Sequence, residues 1–283
     1  MLETAISPQT GFAHLTDLPC IRLQAGTASA VVSLYGAQVL SYQPSAGHDV
    51  LWLSPLATWH NNTAIRGGVP ICWPWFGPAD IRQNPTQQAL PNHGLVRTRL
   101  WQLSSQHVNS DEVSVTLQIT VDDLPCCTSS VTLQLQLALT ADNLSIKLRC
   151  DSTILQQGAL HSYFRVVPLS QTRVQPLPLQ YIDKVAGSTV VAESDQADFT
   201  AEVDRVYSSP AALLQIHSDY SQINITQAGQ DATVVWNPWR ERSMQIADLA
   251  DHSYLDFICV ETARLQLENA LPLNLTQQIE AVN

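Results

Sequence analysis

Charge is scarce in this sequence. Only 14% of its 283 residues are Asp, Glu, Lys or Arg, where about a quarter is usual for a globular protein. Positive charge is scarcer still: 14 Lys and Arg stand against 25 Asp and Glu, for a formal net charge of −11. Nucleic-acid binders present a basic face, so no nucleic-acid partner is expected. An anionic substrate requires positive charge gathered locally. No apolar run reaches the roughly 18 residues of a membrane helix, and no membrane partner is expected. The opening "MLETAISPQTGFAHL" has no basic stretch followed by an apolar one, so no secretory leader is read there. Cysteines 20, 72, 126, 127, 150 and 259 lack metal-ligand spacing, and the neighbours Cys126 and Cys127 do not form an ordinary structural bridge. They read as reduced packing residues of a cytoplasmic protein. Histidines 93, 161 and 217 show no ligand spacing either, so no metal is expected. Nucleotide-type glycine-rich loops and "GxSxG" nucleophile turns are also missing.

What the sequence does have is alternation. Residues 113–121 "VSVTLQITV", 131–139 "VTLQLQLAL" and 144–150 "LSIKLRC" switch between apolar and polar at nearly every step. That is the period of a strand with one buried face. "TADN" (140–143) reads as a turn between antiparallel neighbours. Further strands are expected at 28–34, 38–42, 172–182, 212–217, 221–227, 232–236, 256–261 and 275–282. No long segment carries a helical stripe, and sixteen prolines punctuate the chain. There is no repeat, low-complexity tail or compositional boundary. The expectation is an all-β protein, one large antiparallel β-sandwich spanning residues 1–283 as a single domain.

Four stretches could carry chemistry. In "NNTAIRGGVPICWPWFGP" (61–78), Arg66 precedes two glycines that allow positive φ or close backbone approach. Trp73, Trp75 and Phe76 are either core residues or apolar faces for a sugar ring. "LPNHGLVRTRLW" (90–101) supplies Asn92, His93 and Arg97. In "GALHSYFRV" (158–166), alternation puts His161, Tyr163 and Arg165 on one face and Ser162, Phe164 and Val166 on the other. "FTAEVDRVYSSP" holds Asp204, and "YLDFICVETARL" ends its apolar strand at Glu261. A carboxylate there either points to water or has a functional reason to be present.

In this order and spacing, "RGGVPICWPWFGP", "NHGLVR", "LHSYFRV", "DRVY", "WNPW" and "ICVET" resemble the glucose-6-phosphate 1-epimerases, the hexose-6-phosphate mutarotase branch of the aldose 1-epimerase family. The resemblance covers nearly the whole chain. It implies a galactose-mutarotase-like β-supersandwich that interconverts the α and β anomers of a hexose 6-phosphate, most simply glucose 6-phosphate, without a cofactor. A small phosphosugar is the implied partner, and a monomer is expected. By motif position His161 and Glu261 are the implied catalytic pair. Arg66, Arg97 and Asp204 fall on substrate-binding positions. Asn92 stands where relatives carry glutamine, beside the motif histidine His93. The sequence departs from many relatives after Glu261, where "ETA" replaces a proline- or glycine-containing turn. Arg66 and Arg97 are expected to select the phosphate, with Arg82 and Arg99 adding positive potential to the same cleft.

The residue types suit the reaction. Anomer exchange needs a base at the C1 hydroxyl and an acid at the ring oxygen, with no nucleophile or metal. Two other readings remain open. A mutarotase of free aldoses such as galactose would use the same pair, and a non-catalytic carbohydrate-binding protein could occupy the same fold.

Overall fold

The computed structural model describes residues 4–267 and 269–282. Three antiparallel sheets hold its strands. A four-stranded meander runs through Thr4–Phe12, Leu15–Ala25, Ala28–Ser33 and Val39–Gln43. A nine-stranded sheet contains Glu112–Val121, Val131–Thr140 and Asn143–Cys150, the segments whose alternation was plainest. In each of them every second residue is buried, as a half-covered sheet requires.

The third sheet holds Glu261 and Asp204. Its central strand Phe257–Arg264 lies between Ala232–Asn237 on one side and the short pieces Gly158–Leu160 and Tyr163–Arg165 on the other. Beyond Ala232–Asn237 come Val203–Ser208, Gln180–Asp183 and the edge strand Ser188–Val191. One cluster of buried apolar side chains, from Ile21 to Ile279, joins all three sheets. The second and third sheets are also tied by polar side chains. Ser162 donates to Gln277 at 2.5 Å, and Gln277 donates to Thr262 at 2.9 Å. Thr262 in turn donates to Gln227 at 3.1 Å.

Some strand expectations need correction. The single strand expected at 172–182 is two, Arg173–Gln175 and Gln180–Asp183, in different sheets. Pro176 and Pro178 lie between them, and two missing N–H donors within three residues interrupt the ladder there. The strand expected at 256–261 continues to Arg264, so Glu261 is inside a strand and not at its end. "ETA" is therefore regular backbone, with Glu261 opposite Val234 and Thr262 opposite Leu160. Thr4–Phe12, Leu15–Ala25, Val203–Ser208 and Gln102–Val108 went unread. The last is exposed along its whole length, so it has no buried face to show as alternation.

Candidate active site

The chain reaches the site through a segment with little freedom. Gly67 sits at φ 111°, and a Cβ there would lie 2.5 Å from the Trp52 carbonyl oxygen. At Gly68, φ 60°, a Cβ would lie 2.1 Å from the Val39 carbonyl oxygen. Only glycine fits either place. The close approach lets Gly68 N–H donate to Trp52 and Tyr163 N–H donate to Gly68. Arg66 is thereby fixed beside Tyr163. Trp73 and Trp75 are fully buried, their indole N–H groups donating to Gln156 and to the Pro91 carbonyl. They are core residues. Phe76 alone of the three aromatics reaches the cleft.

That cleft has a volume of about 800 Å³, within the roughly 300–1,000 Å³ of small-molecule sites. It gathers Arg66, Asn92, His93, Arg97, His161, Asp204 and Glu261, every site residue expected from the sequence. Four cationic side chains line it, Arg66, Arg97, Lys184 and Arg242, facing the carboxylates of Glu202, Asp204, Glu241 and Glu261. The wall is thus locally balanced in a chain of net charge −11. Arg82 and Arg99 contribute nothing to it. Arg82 pairs with Asp80 and Arg99 with Asp123, and neither lines the cleft.

His161 and Glu261 touch. The His161 Nε2 atom lies 3.4 Å from Glu261 Oε1, with Glu261 only 1% exposed and His161 9%. Each keeps a buried atom with no hydrogen-bond partner, His161 Nδ1 and Glu261 Oε2. Burial pushes the Glu261 carboxyl well above its ordinary value of 4.5. Asp204 pushes the same way, and Lys184 opposes them. Burial also drives His161 well below 6.5, helped by His93, Arg66 and Arg97. The pair therefore favours holding one proton between its two members: two would leave a buried cation, and none a buried carboxylate.

Rings enclose the pair. The Tyr163 ring stacks on His161 at 5.0 Å and 11°. Trp236 and His93 meet its ring edge-on at 6.2 Å and 5.7 Å. His93 is held in one tautomer. Its Nδ1 accepts the Gly77 N–H at 3.3 Å, which leaves the proton on Nε2. Burial and the charges of Arg97, Lys184 and Arg66 lower its pKa to about 3, so it is a neutral donor at any ordinary pH.

The two arginines differ. Arg66 donates through Nε to Asp248 at 3.0 Å and through Nη1 to the Tyr163 hydroxyl at 3.0 Å. Arg97 has only the Asn92 carbonyl, at 3.1 Å, and no carboxylate at ion-pair distance among the described residues. Asp204 carries Lys184 at 3.9 Å, and burial raises its carboxyl pKa. Sequence reading missed Lys184, Trp236 and Asp248. "WNPW" pointed to the region of Trp236, but nothing local marks Lys184 or Asp248.

Comparison with known proteins places the chain in a family and a fold. A family profile described as Aldose 1-epimerase matches residues 19–272. A protein of Escherichia coli (strain K12), named "Putative glucose-6-phosphate 1-epimerase", is 34% identical over 264 residues, 91% of this chain and 87% of that one. The crystal structure of "a putative mutarotase" from Salmonella typhimurium superposes with a TM-score of 0.87 at 30% identity, covering 100% of this chain and 97% of the other. The galactose 1-epimerase of Lactobacillus acidophilus NCFM shares the fold, with a TM-score of 0.74 at 15% identity and full coverage of both chains.

Proposed function

We propose that this chain, which belongs to the aldose 1-epimerase family, interconverts the α and β anomers of a hexose 6-phosphate, with glucose 6-phosphate the first candidate. The observation that carries the reading is the 3.4 Å contact between His161 and Glu261 on one wall of the cleft. The two oxygens that must exchange protons, the C1 hydroxyl and the ring oxygen, are bonded to the same carbon. An acid and a base side by side suit that arrangement.

The proton inventory also suits the chemistry. Burial makes protonated His161 a strong acid and ionised Glu261 a strong base. His161 gives its proton to the ring oxygen while Glu261 takes the C1 hydroxyl proton, and the C1–O5 bond breaks to leave the aldehyde. The pair now holds its proton on Glu261. Rotation about C1–C2 presents the other carbonyl face. Reclosure returns the proton to His161, so no proton is gained or lost. The two single-proton states of the pair thus correspond to the closed and open sugar. In this reading the neutral His93 donor and Asp204 bind hydroxyls and the Trp236 ring meets the apolar ring face, which is supported by all three lining the cleft.

For the phosphate, Arg97 is the more available arginine, since no carboxylate competes for it among the described residues. Lys184 can join it at the cost of a loose 3.9 Å contact. Arg66 is already committed to Asp248 and Tyr163, and that observation favours the second reading, a mutarotase of free aldoses. A single-domain cytoplasmic monomer belongs to the same proposal. No described helix is long and apolar enough to cross a membrane.

The test uses pure α-glucose 6-phosphate and follows conversion by optical rotation or NMR magnetisation exchange, with free glucose and galactose alongside. Acceleration selective for the phosphorylated sugar supports the proposal. Equal acceleration of all three gives the site to free aldoses, and no acceleration leaves a binding protein.

A further inference from the structure

A catalytic histidine is commonly oriented by a hydrogen bond to its second ring nitrogen. His161 has none: its Nδ1 is buried and unpartnered. Its backbone is anchored, the N–H donating to the Pro70 carbonyl at 3.0 Å. That bond does not fix the plane of the imidazole. The side chain lying flat against it is Tyr163.

Tyr163 is itself held from two sides. Its ring packs among Trp52, Phe257 and Cys259 in a small buried cluster. Its hydroxyl accepts from Arg66 Nη1, whose guanidinium is tethered through Nε to Asp248 Oδ1. Asp248 lies in the loop between the helix Trp239–Ser243 and the strand Phe257–Arg264, outside the cleft lining. The loop is pinned where Asp248 sits. The Ser54 hydroxyl donates to the Asp248 carbonyl at 2.6 Å, and the neighbouring Leu249 is buried in the cluster that holds Tyr163. A continuous line of contacts therefore runs from a fixed carboxylate to the ring of the acid.

We infer that Asp248 is a positioning residue for His161: its carboxylate holds Arg66 against the Tyr163 hydroxyl, and the Tyr163 ring so fixed sets the plane of the imidazole facing Glu261. The inference rests on the proposed anomerase reading for its kinetic consequence, though not for its structural one. Positioning is worth much in this reaction, because misplacing a reacting group by about 1 Å can cost ~10²-fold. The line also has a charge consequence. Removing the Asp248 carboxylate leaves the Arg66 cation uncompensated near His161, which disfavours protonated imidazole.

Two variants test it. Asp248→Asn removes the charge and keeps the volume, while Tyr163→Phe keeps the ring and removes the hydroxyl. Each should lower kcat about tenfold with little change in KM, a smaller loss than for the acid itself. The double variant should lose no more than the worse single one, since both cut the same line. In Asp248→Asn the acid limb of the kcat profile should move to lower pH, and Asp248→Glu should restore part of the rate. Independently of turnover, the His161 ring resonances should carry an upfield shift from Tyr163 in the wild type and lose or broaden it in both variants. A loss confined to KM, multiplicative losses in the double variant, or unchanged His161 resonances would overturn the inference. If the wild type accelerates no sugar, the anomerase reading fails while the resonance comparison still decides the role of Asp248.

Discussion

His161 and Ser162 are neighbours in the chain, as are Glu261 and Thr262, yet the members of each pair belong to different regions. Ser162 and Thr262 face the space between two sheets, where Gln277 and Gln227 satisfy them. Gln277 also donates to the Val260 carbonyl, and Gln227 is bonded to Thr233. These residues are at most 2% exposed, and none of them leaves a buried side-chain atom without a partner. His161 and Glu261 face the cleft, also buried, and each leaves one polar atom unpaired. Burial alone does not separate a structural polar group from a functional one. Between these two faces partner satisfaction does: an unpaired buried donor or acceptor costs about 1–3 kcal/mol, which the Ser162–Gln277 network avoids and the His161–Glu261 pair tolerates, although Gln38 Oε1, Gln83 Oε1 and Ser243 Oγ are unpaired outside the cleft as well.

The largest expected effect falls on the unsatisfied side. Glu261→Gln and His161→Asn should each lower kcat by at least ~10²-fold, as loss of a general acid or base does. Both variants should fold, and the double variant should lose less than the product of the single losses. Turnover near wild type in either one would remove the pair from the mechanism.

Next comes the open cation on the cleft wall. Arg97→Ala should raise KM for glucose 6-phosphate about 10–100-fold, because a hydrogen bond to a charged group is worth roughly 1.5–3 kcal/mol. The loss should fall on KM, since the phosphate is remote from C1 and unchanged in the transition state. Arg66→Ala should lower kcat as well, given its hold on Tyr163. Identical KM-only losses in the two variants would erase the distinction between the arginines.

The satisfied side predicts the reverse. Gln277→Leu strands the Ser162 hydroxyl and takes the donor from the Val260 carbonyl, while Thr262 keeps Gln227, at about 1–3 kcal/mol for each group left unpaired. Denaturant unfolding should register that loss while kcat changes only a few-fold. A collapse of kcat in a stably folded variant would show that the two faces are coupled.

The smallest effect is a pH slope. Glu261 has a raised pKa when folded, so its contribution is complete below its ordinary 4.5 and is lost as pH rises. His161 is lowered, so its contribution is complete above 6.5 and is lost as pH falls. Between 4.5 and 6.5 folded and unfolded chains each hold one proton on these residues, and the pair contributes a plateau. Outside it, stability should fall by up to about 1.4 kcal/mol per pH unit on either side. Subtracting the Glu261→Gln curve should isolate the alkaline slope, and subtracting the His161→Asn curve the acid one. Parallel curves for all three proteins would mean that the buried pair does not titrate as argued.

The sequence by itself determined what is local. A two-residue period is written in consecutive side chains, so Glu112–Val121, Val131–Thr140 and Asn143–Cys150 were legible. Alternation also put His161 and Tyr163 on one face and Ser162 and Phe164 on the other, as the stacking of the first pair and the core burial of the second bear out. The strand edges that face water on both sides, and the break at Pro176 and Pro178, blurred the pattern. Tertiary structure alone decided partnership. Arg66 meets Asp248 across 182 residues of chain, and Ser162 meets Gln277 across 115. No local signal could tell that Arg66 is engaged and Arg97 open, that Arg99 is neutralised by Asp123, or that Glu261 is buried inside a strand and not exposed at its end. A residue's type fixes which bonds it can make. Which of them it makes, and which it leaves for a ligand, depends on atoms that only folding brings within reach.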